Sequence, residues 1–348
     1  MSRTALVTGG TGFIALYVVK LLLEHGHHVH TTVRSLANKK KCKPLLDLQT
    51  QWPDKLTLFE ADLLSHGSFF QAMQGCDTVY HIASPFLVPQ QIKDGMKDCV
   101  EPALNGTRNV IVSVNDTESV KRVVLTSSIA AMYGDSIDIH KMENKTLSEK
   151  YWNTTSTATT NPYSFSKVAA EREAWKMYEA QDRWEIVVIN PGLVVGPSFS
   201  SESASGSLYM LEAMYRGENK MGVAELHYPV ADVREVAEAH VTVGEDTAAK
   251  GRFIIASDRS LSLLEMANAV RPTHKTPSVL PTRNLPKLMV YAAGPFMGLS
   301  MKWVSKNIGI GFKVDNHRSV QELKIRYRPL EDTMADHYNE WFRISSSH

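Results

Sequence analysis

The chain has few cysteines, no excess of one charge and no long uninterrupted hydrophobic run. Its three cysteines, Cys42, Cys76 and Cys99, are scattered over 348 residues. Their number and spacing exclude a disulfide framework and a cysteine-rich metal cluster. We expect reduced thiols in a cytoplasmic protein, and because the first predicted strand begins almost at Met1 we expect no signal peptide.

The balance of charge and the hydropathy pattern narrow the range of partners. The formal net charge of +1 gives no electrostatic basis for binding nucleic acid or an anionic membrane. The most apolar stretch, residues 285–299, is interrupted by Pro286, Lys287 and Pro295 and is too short to span a bilayer. We therefore expect a small-molecule partner, no nucleic acid and no membrane. The sequence leaves a monomer and a homodimer equally open.

A strand, a glycine-rich turn and a helix follow one another at the start of the chain. Residues 5–7 form a short apolar run, Gly9 and Gly12 come next, and apolar residues then recur at helical spacing. Such a turn lets backbone amides approach a pyrophosphate, and the helix N-terminus adds unpaired N–H donors. The second predicted strand, residues 28–33, ends in Arg34, where a dinucleotide fold reads the adenosine ribose. The alternative is an ordinary tight turn between a strand and a helix.

Strand and helix patterns alternate through the first two-thirds of the chain. Further strands are predicted at 56–60, 78–83, 122–126 and 186–190, and a helix at about 95–114 contains Pro102, which should start, kink or split it. The polar residues 135–161 predict a loop with little regular structure. The pattern predicts an α/β fold with a doubly wound parallel sheet and a smaller, mostly helical C-terminal lobe.

Two parts of the chain are assigned to each predicted domain. Residues 1–190 and 229–257 are assigned to the dinucleotide-binding domain, because short strands at 229–230 and 253–255 should return to the sheet. Residues 191–228 and 258–348 are assigned to a lobe that closes over a substrate.

Two polar motifs could carry chemistry. Tyr163 and Lys167 lie four residues apart at the start of a predicted helix, so they share a face. A free phenol ionises only near pH ~10, and a nearby ammonium stabilises the phenolate, so the pair suits proton transfer to a carbonyl. Ser127 and Ser128 follow the fifth strand, where a hydroxyl faces the crevice at the carboxyl end of the sheet. The structural alternatives are a solvated lysine beside a packed tyrosine and serines that cap the strand.

Taken together, these motifs resemble the extended short-chain dehydrogenases/reductases. Within that family the chain looks like the branch of dihydroflavonol reductases, cinnamoyl-CoA reductases and aldehyde or ketone reductases. The resemblance covers roughly residues 3–260. Besides Tyr163 and Lys167, it rests on Thr-Gly-Gly-Thr-Gly-Phe-Ile-Ala (8–15), Thr-Val-Arg-Ser (32–35), His-Ile-Ala-Ser-Pro-Phe (81–86), Val-Val-Leu-Thr-Ser-Ser (123–128), Asn-Pro-Gly-Leu-Val-Val-Gly-Pro (190–197) and Asp-Val-Arg-Glu-Val-Ala-Glu-Ala-His (232–240).

The resemblance implies a Rossmann domain that binds NADPH and a reductase of aldehydes or ketones. Tyr163 would be the proton donor, Lys167 would favour its phenolate and hold the nicotinamide ribose, and Ser128 would orient the carbonyl. Arg34 and Lys41 match the family's pair for the 2′-phosphate of NADPH, although residues 39–41 could also be a solvated helix face. The cofactor contacts implied are Gly9, Gly12, Phe13, Ile14, Arg34, Lys41, Asp62, Leu63, Ala83, Tyr163, Lys167, Pro191 and Val194, and the substrate contacts are Ser84, Phe86, Tyr133 and Met210.

Departures from the family pattern leave the substrate and two other functions open. Tyr133 stands where dihydroflavonol reductases typically have an asparagine, and residues 161–167 differ from the tyrosine motif of cinnamoyl-CoA reductases. A nucleotide-sugar epimerase or dehydratase that retains NAD is one alternative, against which Arg34 argues. A non-catalytic NADPH sensor is the other, against which the complete set of Ser128, Tyr163 and Lys167 argues.

A group of histidines lies where the first helix ends and the second strand begins. His25, His27, His28 and His30 are close in sequence, but a metal site needs a further ligand nearby and none is evident. We therefore predict no metal site.

Overall fold

The computed structural model describes residues 3–85, 92–200, 202, 205–294 and 300–346. The strands are β1 (Thr4–Val7), β2 (His28–Val33), β3 (Leu56–Glu60), β4 (Thr78–His81), β5 (Arg122–Thr126), β6 (Thr146–Leu147), β7 (Glu185–Pro191), β8 (Leu193–Val195), β9 (His227–Asp232), β10 (Gly251–Ile255), β11 (Ser260–Ser262) and β12 (Lys313–Val314). The α-helices are α1 (Phe13–Glu24), α2 (Lys39–Gln51), α3 (Phe70–Met73), α4 (Glu101–Asn115), α5 (Pro162–Glu179), α6 (Gly206–Tyr215), α7 (Val233–Glu245), α8 (Leu263–Val270), α9 (Lys287–Ala293), α10 (Met301–Asn307), α11 (His317–Gln321) and α12 (Leu330–Ser345).

A seven-stranded parallel sheet forms the centre of the molecule, in the order β10-β7-β5-β4-β1-β2-β3. Successive residues of a strand face opposite sides, so Val7 packs into the core with α1 and α7, whereas Leu6 packs into the core with α4. The strand order reverses beside β1, and ligands of such sheets bind at that point, outside the carboxyl ends of the strands. The predicted doubly wound parallel sheet is confirmed.

The helix that contains Pro102 is split, as its proline predicts. A π-helical turn, Gly95–Val100, leads directly into α4, and Pro102 occupies the first turn of that helix. A proline has no N–H to donate to the preceding turn and its ring crowds that turn, which fits a change from π-helical to α-helical bonding at this point.

The prediction that residues 229–230 return to the main sheet is wrong. They lie in β9, which pairs with β8 and β11 in a separate three-stranded sheet, whereas β10 does join the central sheet. The backbone leaves the main sheet at Gly192, where a Cβ atom would lie only 2.3 Å from the carbonyl oxygen of Pro229. The close approach brings β8 alongside β9 immediately after β7 ends. The division into domains stays a prediction.

The remaining parts of the chain are irregular or helical. Residues 135–161 contain two 3₁₀ segments, Ser136–Lys141 and Glu143–Lys145, and the short strand β6, which pairs with β12. The C-terminal lobe is mostly helical, as predicted, and has its own apolar core between α6, α8 and α12. None of the helices in the described ranges is both long enough and apolar enough to cross a membrane.

Candidate active site

The glycine turn after β1 fits a dinucleotide. Gly9 has a φ of +69°, and a Cβ atom there would lie 3.0 Å from that of Ala83. Gly12 is the N-cap of α1 and offers no side-chain oxygen to the first-turn amides, which include those of Phe13 and Ile14. A pyrophosphate is the kind of group that such uncapped amides bind.

Two cations follow the carboxyl end of β2, which is itself buried. Arg34 is exposed and Lys41 is half-buried in the first turn of α2. Within the described ranges neither side chain forms an ion pair, whereas Lys40 pairs with Glu202 at 2.6 Å and Lys43 pairs with Asp47 at 2.7 Å. An unbalanced pair of cations beside a dinucleotide cradle is what a phosphate monoester requires.

The predicted adenine and nicotinamide contacts lie along the carboxyl edge of the sheet. The carboxylate of Asp62 accepts from the amide of Leu64 at 2.8 Å, and the Leu63 carbonyl accepts from Asn109 Nδ2 at 2.7 Å. Pro191 is buried at the end of β7, and Val194 is half-buried in β8.

The three predicted catalytic residues come from β5 and α5. Ser128 follows β5, and its Oγ accepts from the amide of Ala130 at 3.1 Å, which leaves the hydroxyl hydrogen free to donate. Tyr163 is 49% exposed, and the Lys167 Nζ lies 5.7 Å from its ring centroid. The helix α5 also packs against residues 129–131, the segment that directly follows the serine. The arrangement suits proton donation to a polarised oxygen.

The predicted substrate contacts are not gathered into one pocket. Ser84 Oγ accepts a hydrogen bond from Lys167 Nζ at 3.1 Å. Tyr133 is half-buried with its ring edge-on to Phe312 at 5.3 Å, and burial raises the pKa of its hydroxyl. Met210 packs against the core of the C-terminal lobe, and Phe86 lies outside the described residues.

A buried network behind Ser128 was missed by sequence reasoning. Glu171 accepts from the hydroxyl of Ser127 and, at 2.9 Å, from Asn190 Nδ2. Its other carboxylate oxygen lies 2.7 Å from Nε of Arg252. Asn190 Nδ2 also donates to the Ser128 carbonyl at 3.1 Å. The network joins α5, β5, β7 and β10, and its sequence signal is Glu171 one helical turn after Lys167.

Two of the histidines lie beside a glutamate, which is the further potential metal ligand that the sequence did not reveal. His25 Nδ1 and His27 Nε2 lie 2.9 and 2.8 Å from the same oxygen of Glu245, at the end of α7. The amide of Arg3 donates to Nδ1 of His27 at 3.2 Å, so that nitrogen is unprotonated and Nε2 carries the proton toward Glu245. A metal ligand would need the opposite arrangement, so we read the cluster as a hydrogen-bonded group.

Comparison with known proteins gives consistent matches. The sequence profile of the NAD dependent epimerase/dehydratase family matches residues 5–256. An anthocyanidin reductase ((2S)-flavan-3-ol-forming) of Vitis vinifera is 36% identical over 290 residues, which cover 79% of this chain and 83% of the relative. Cinnamoyl-CoA reductase 1 of Arabidopsis thaliana is 37% identical over 256 residues, covering 73% of this chain and 70% of the relative.

The fold is also found among solved structures. The crystal structure of Gre2 from Candida albicans in complex with NADPH has a TM-score of 0.80 and 26% sequence identity to this chain. The match covers 98% of this chain and 99% of the other, so it includes the C-terminal lobe as well as the central sheet.

Proposed function

The chain belongs to the NAD dependent epimerase/dehydratase family, the extended short-chain dehydrogenases/reductases, and from that premise we propose that it reduces an aldehyde or ketone to an alcohol with NADPH. The observation that carries this proposal is Tyr163 paired with Lys167 at the start of α5, the helix that packs against the segment directly after Ser128. The reductase names of the relatives and the NADPH complex of Gre2 support it.

Each of the three side chains has a distinct role in the proposed reaction. Bound NADPH would supply a hydride to the carbonyl carbon. The Ser128 hydroxyl, whose oxygen already accepts from Ala130, donates to the carbonyl oxygen and fixes its position. Tyr163 protonates that oxygen as negative charge develops on it, and the Lys167 ammonium stabilises the phenolate that remains.

NADPH is proposed in preference to NADH because of charge. Arg34 and Lys41 form no ion pair with any described carboxylate, so a 2′-phosphate would meet two available cations. An NAD site would place a carboxylate where Arg34 stands, to accept from the free 2′-hydroxyl. Along the carboxyl edge, Asp62, Leu63, Ala83, Pro191 and Val194 complete the proposed cofactor contacts.

The proposed substrate is a moderately hydrophobic carbonyl compound. Tyr133, Met210 and Ile82 are half-buried apolar or aromatic residues, and we propose the first two, together with Phe86, as substrate contacts.

The proposal is tested by NADPH oxidation with a panel of aldehydes, ketones, a diketone and a dihydroflavonol. Tyr163→Phe should lose at least about 100-fold in kcat, because general acid catalysis contributes that much or more. Tyr178→Phe is the matched control, because Tyr178 lies on the same helix as Tyr163. Its hydroxyl donates to Glu185 at 3.1 Å and has no role in the proposed reaction. If both variants are folded and equally active, the proposed role of Tyr163 is wrong.

The epimerase and sensor alternatives predict different observations. An epimerase of this fold would be purified with bound NAD, visible in the absorbance of the protein. A sensor would bind NADPH but oxidise none of it with any carbonyl. Turnover of an added carbonyl by protein purified free of nucleotide supports the reductase over both.

A further inference from the structure

The charge of the chain is unevenly distributed, although its formal net charge is only +1. Residues 266–314 contain no aspartate or glutamate but seven lysines and arginines. This segment lies in the C-terminal lobe and includes α9 and α10. Such a charge asymmetry indicates an anionic partner for the part of the molecule that carries it.

Most of these cations have no carboxylate beside them. Within the described ranges only Lys306 of the seven forms an ion pair, with Asp135 at 2.7 Å. Lys287 donates instead to the carbonyl of Ile308 at 3.0 Å, and this uncharged acceptor leaves its positive charge in place. The segment therefore keeps a net positive charge after its internal contacts are made.

The outer sides of α9 and α10 expose large apolar side chains. The two helices contact each other and bury Val290 and Val304 in one small apolar core, so their other sides face solvent. Leu288 is 80% exposed, Met289 is 56% exposed and Met301 is 61% exposed. A lysine adjoins these residues on each helix. The basic apolar face, as we call it, consists of Lys287, Leu288, Met289, Met301 and Lys302.

Exposed leucine and methionine beside lysine are typical of a surface that lies on a lipid bilayer. The apolar side chains leave water at the boundary between headgroups and acyl chains, while the lysine stems extend and keep their ammonium groups among the headgroups. The helices α9 and α10 have 7 residues each, whereas a helix that spans a bilayer needs about 20. This face can therefore rest on a membrane but not cross it.

We propose that the basic apolar face docks the protein on the surface of an anionic lipid bilayer. A second copy of the chain fits the observations less well, because a two-fold dimer brings this face against itself and sets Lys287 and Lys302 against like charges. Another protein also fits less well, since protein interfaces are depleted in lysine. The proposal does not rest on the reductase activity, and its test uses neither NADPH nor a carbonyl compound.

Sedimentation with lipid vesicles measures this binding directly. The full chain is mixed with vesicles of phosphatidylcholine alone, or of phosphatidylcholine with phosphatidylserine, at low and at high salt. The wild type should bind the anionic vesicles and bind the neutral ones at least about tenfold more weakly. Its affinity for the anionic vesicles should fall as salt screens the headgroups. Analytical ultracentrifugation without lipid shows whether the face instead joins two copies of the chain.

Substitutions on the basic apolar face should weaken binding to the anionic vesicles. Leu288→Ser should lower the affinity at least about tenfold, because a leucine side chain no longer leaves water. Lys287→Gln combined with Lys302→Gln should lower it about 25-fold, at about fivefold for each cation near the headgroups. All three side chains are exposed, so we expect the variants to keep their fold, which thermal unfolding verifies.

Matched controls replace the same kinds of residue elsewhere. Val320→Ser removes an exposed apolar side chain on α11. Lys176→Gln combined with Lys250→Gln removes two exposed cations outside the C-terminal segment. Both controls should bind the anionic vesicles nearly as tightly as the wild type, because charges more than a Debye length from the headgroups are screened.

Several results would overturn the membrane proposal while leaving the reductase proposal intact. They are a wild type that does not bind anionic vesicles, equal binding to neutral and anionic vesicles, and variants of the basic apolar face that bind no more weakly than the controls. A dimer that Leu288→Ser dissociates would show that the face is a contact between copies of this chain. Absence of carbonyl reduction would instead overturn the reductase proposal and leave the membrane proposal standing.

Discussion

Arg34 is exposed directly after β2, and no carboxylate within the described residues forms an ion pair with it. A hydrogen bond from a cation to a phosphate is worth about 1.5–3 kcal/mol, which corresponds to roughly 10- to 100-fold in affinity. Arg34→Ala should therefore raise KM for NADPH by about 10- to 100-fold and leave KM for NADH nearly unchanged, as measured with one carbonyl substrate.

Lys43→Ala is the matched control for this change. It removes a cation from α2, the helix that follows Arg34 in the chain, but one that already pairs with Asp47 at 2.7 Å. If the control and Arg34→Ala raise KM for NADPH equally, the effect is one of general charge and the assignment of Arg34 fails. An equal rise of KM for both cofactors in Arg34→Ala would also contradict it.

The site residues that the sequence can predict are those whose partners lie close to them in the chain. Gly9, Gly12, Tyr163 and Lys167 are recognisable because their partners lie within a turn or a helical repeat. The interaction of Lys167 with Ser84 spans 83 positions, and that of Glu171 with Arg252 spans 81. Nothing in the local pattern signals such contacts, because they depend on which strands become neighbours.

At the scale of elements, the Glu171–Arg252 pair holds α5 to β10. Both side chains are buried, and Arg252 also stacks on Trp152 at 4.1 Å. Removing one partner of a buried ion pair leaves an uncompensated charge and typically costs about 3–5 kcal/mol. Glu171→Gln should lower the free energy of unfolding by about that amount, measured by urea denaturation.

A double-mutant cycle distinguishes an ion pair from a simple packing defect. Adding Arg252→Met to Glu171→Gln removes the unpaired cation, so the double variant should lose less than the sum of the two single variants. Lys43→Ala, which breaks an exposed pair, should cost no more than about 1 kcal/mol. Strict additivity of the two buried substitutions would show that the charges do not interact.

The elements themselves were predictable where the hydrophobic pattern is long, and less so where strands are short. The parallel strands and the split at Pro102 follow from periodicity and from proline chemistry. The position of residues 229–230 does not, since a short apolar segment can pair with any free edge. The close contact of Gly192 with Pro229 decides which sheet this segment joins. These two residues are 37 positions apart, so no local pattern signals their contact.

At the scale of the whole molecule, α7 and α12 join the two lobes through polar groups. Asp232 accepts from the hydroxyl of Thr333 at 2.9 Å, and Arg234 bridges Asp232 and Asp336, both at 2.7 Å. Glu235 accepts from the amide of Arg328 at 2.6 Å and from that of Asp232 at 3.1 Å. This junction couples the C-terminal helix to the sheet, so its charge state affects overall stability.

The pH dependence of that junction centres on Glu235. Burial raises the pKa of its carboxyl to about 7, although the two amides oppose the shift. The folded state therefore binds a proton that the unfolded state has lost above about pH 4.5, and stability falls as the pH rises from there to 7. Glu235→Gln should abolish this decline, measured as the free energy of unfolding in urea at several pH values.

Buried neutral histidines such as His81 and His240, whose pKa values burial lowers, produce the opposite slope in both proteins. The difference between the two curves therefore isolates the contribution of Glu235. If the curves of the wild type and the variant run parallel between about pH 5 and pH 8, this carboxyl is already ionised in the folded state.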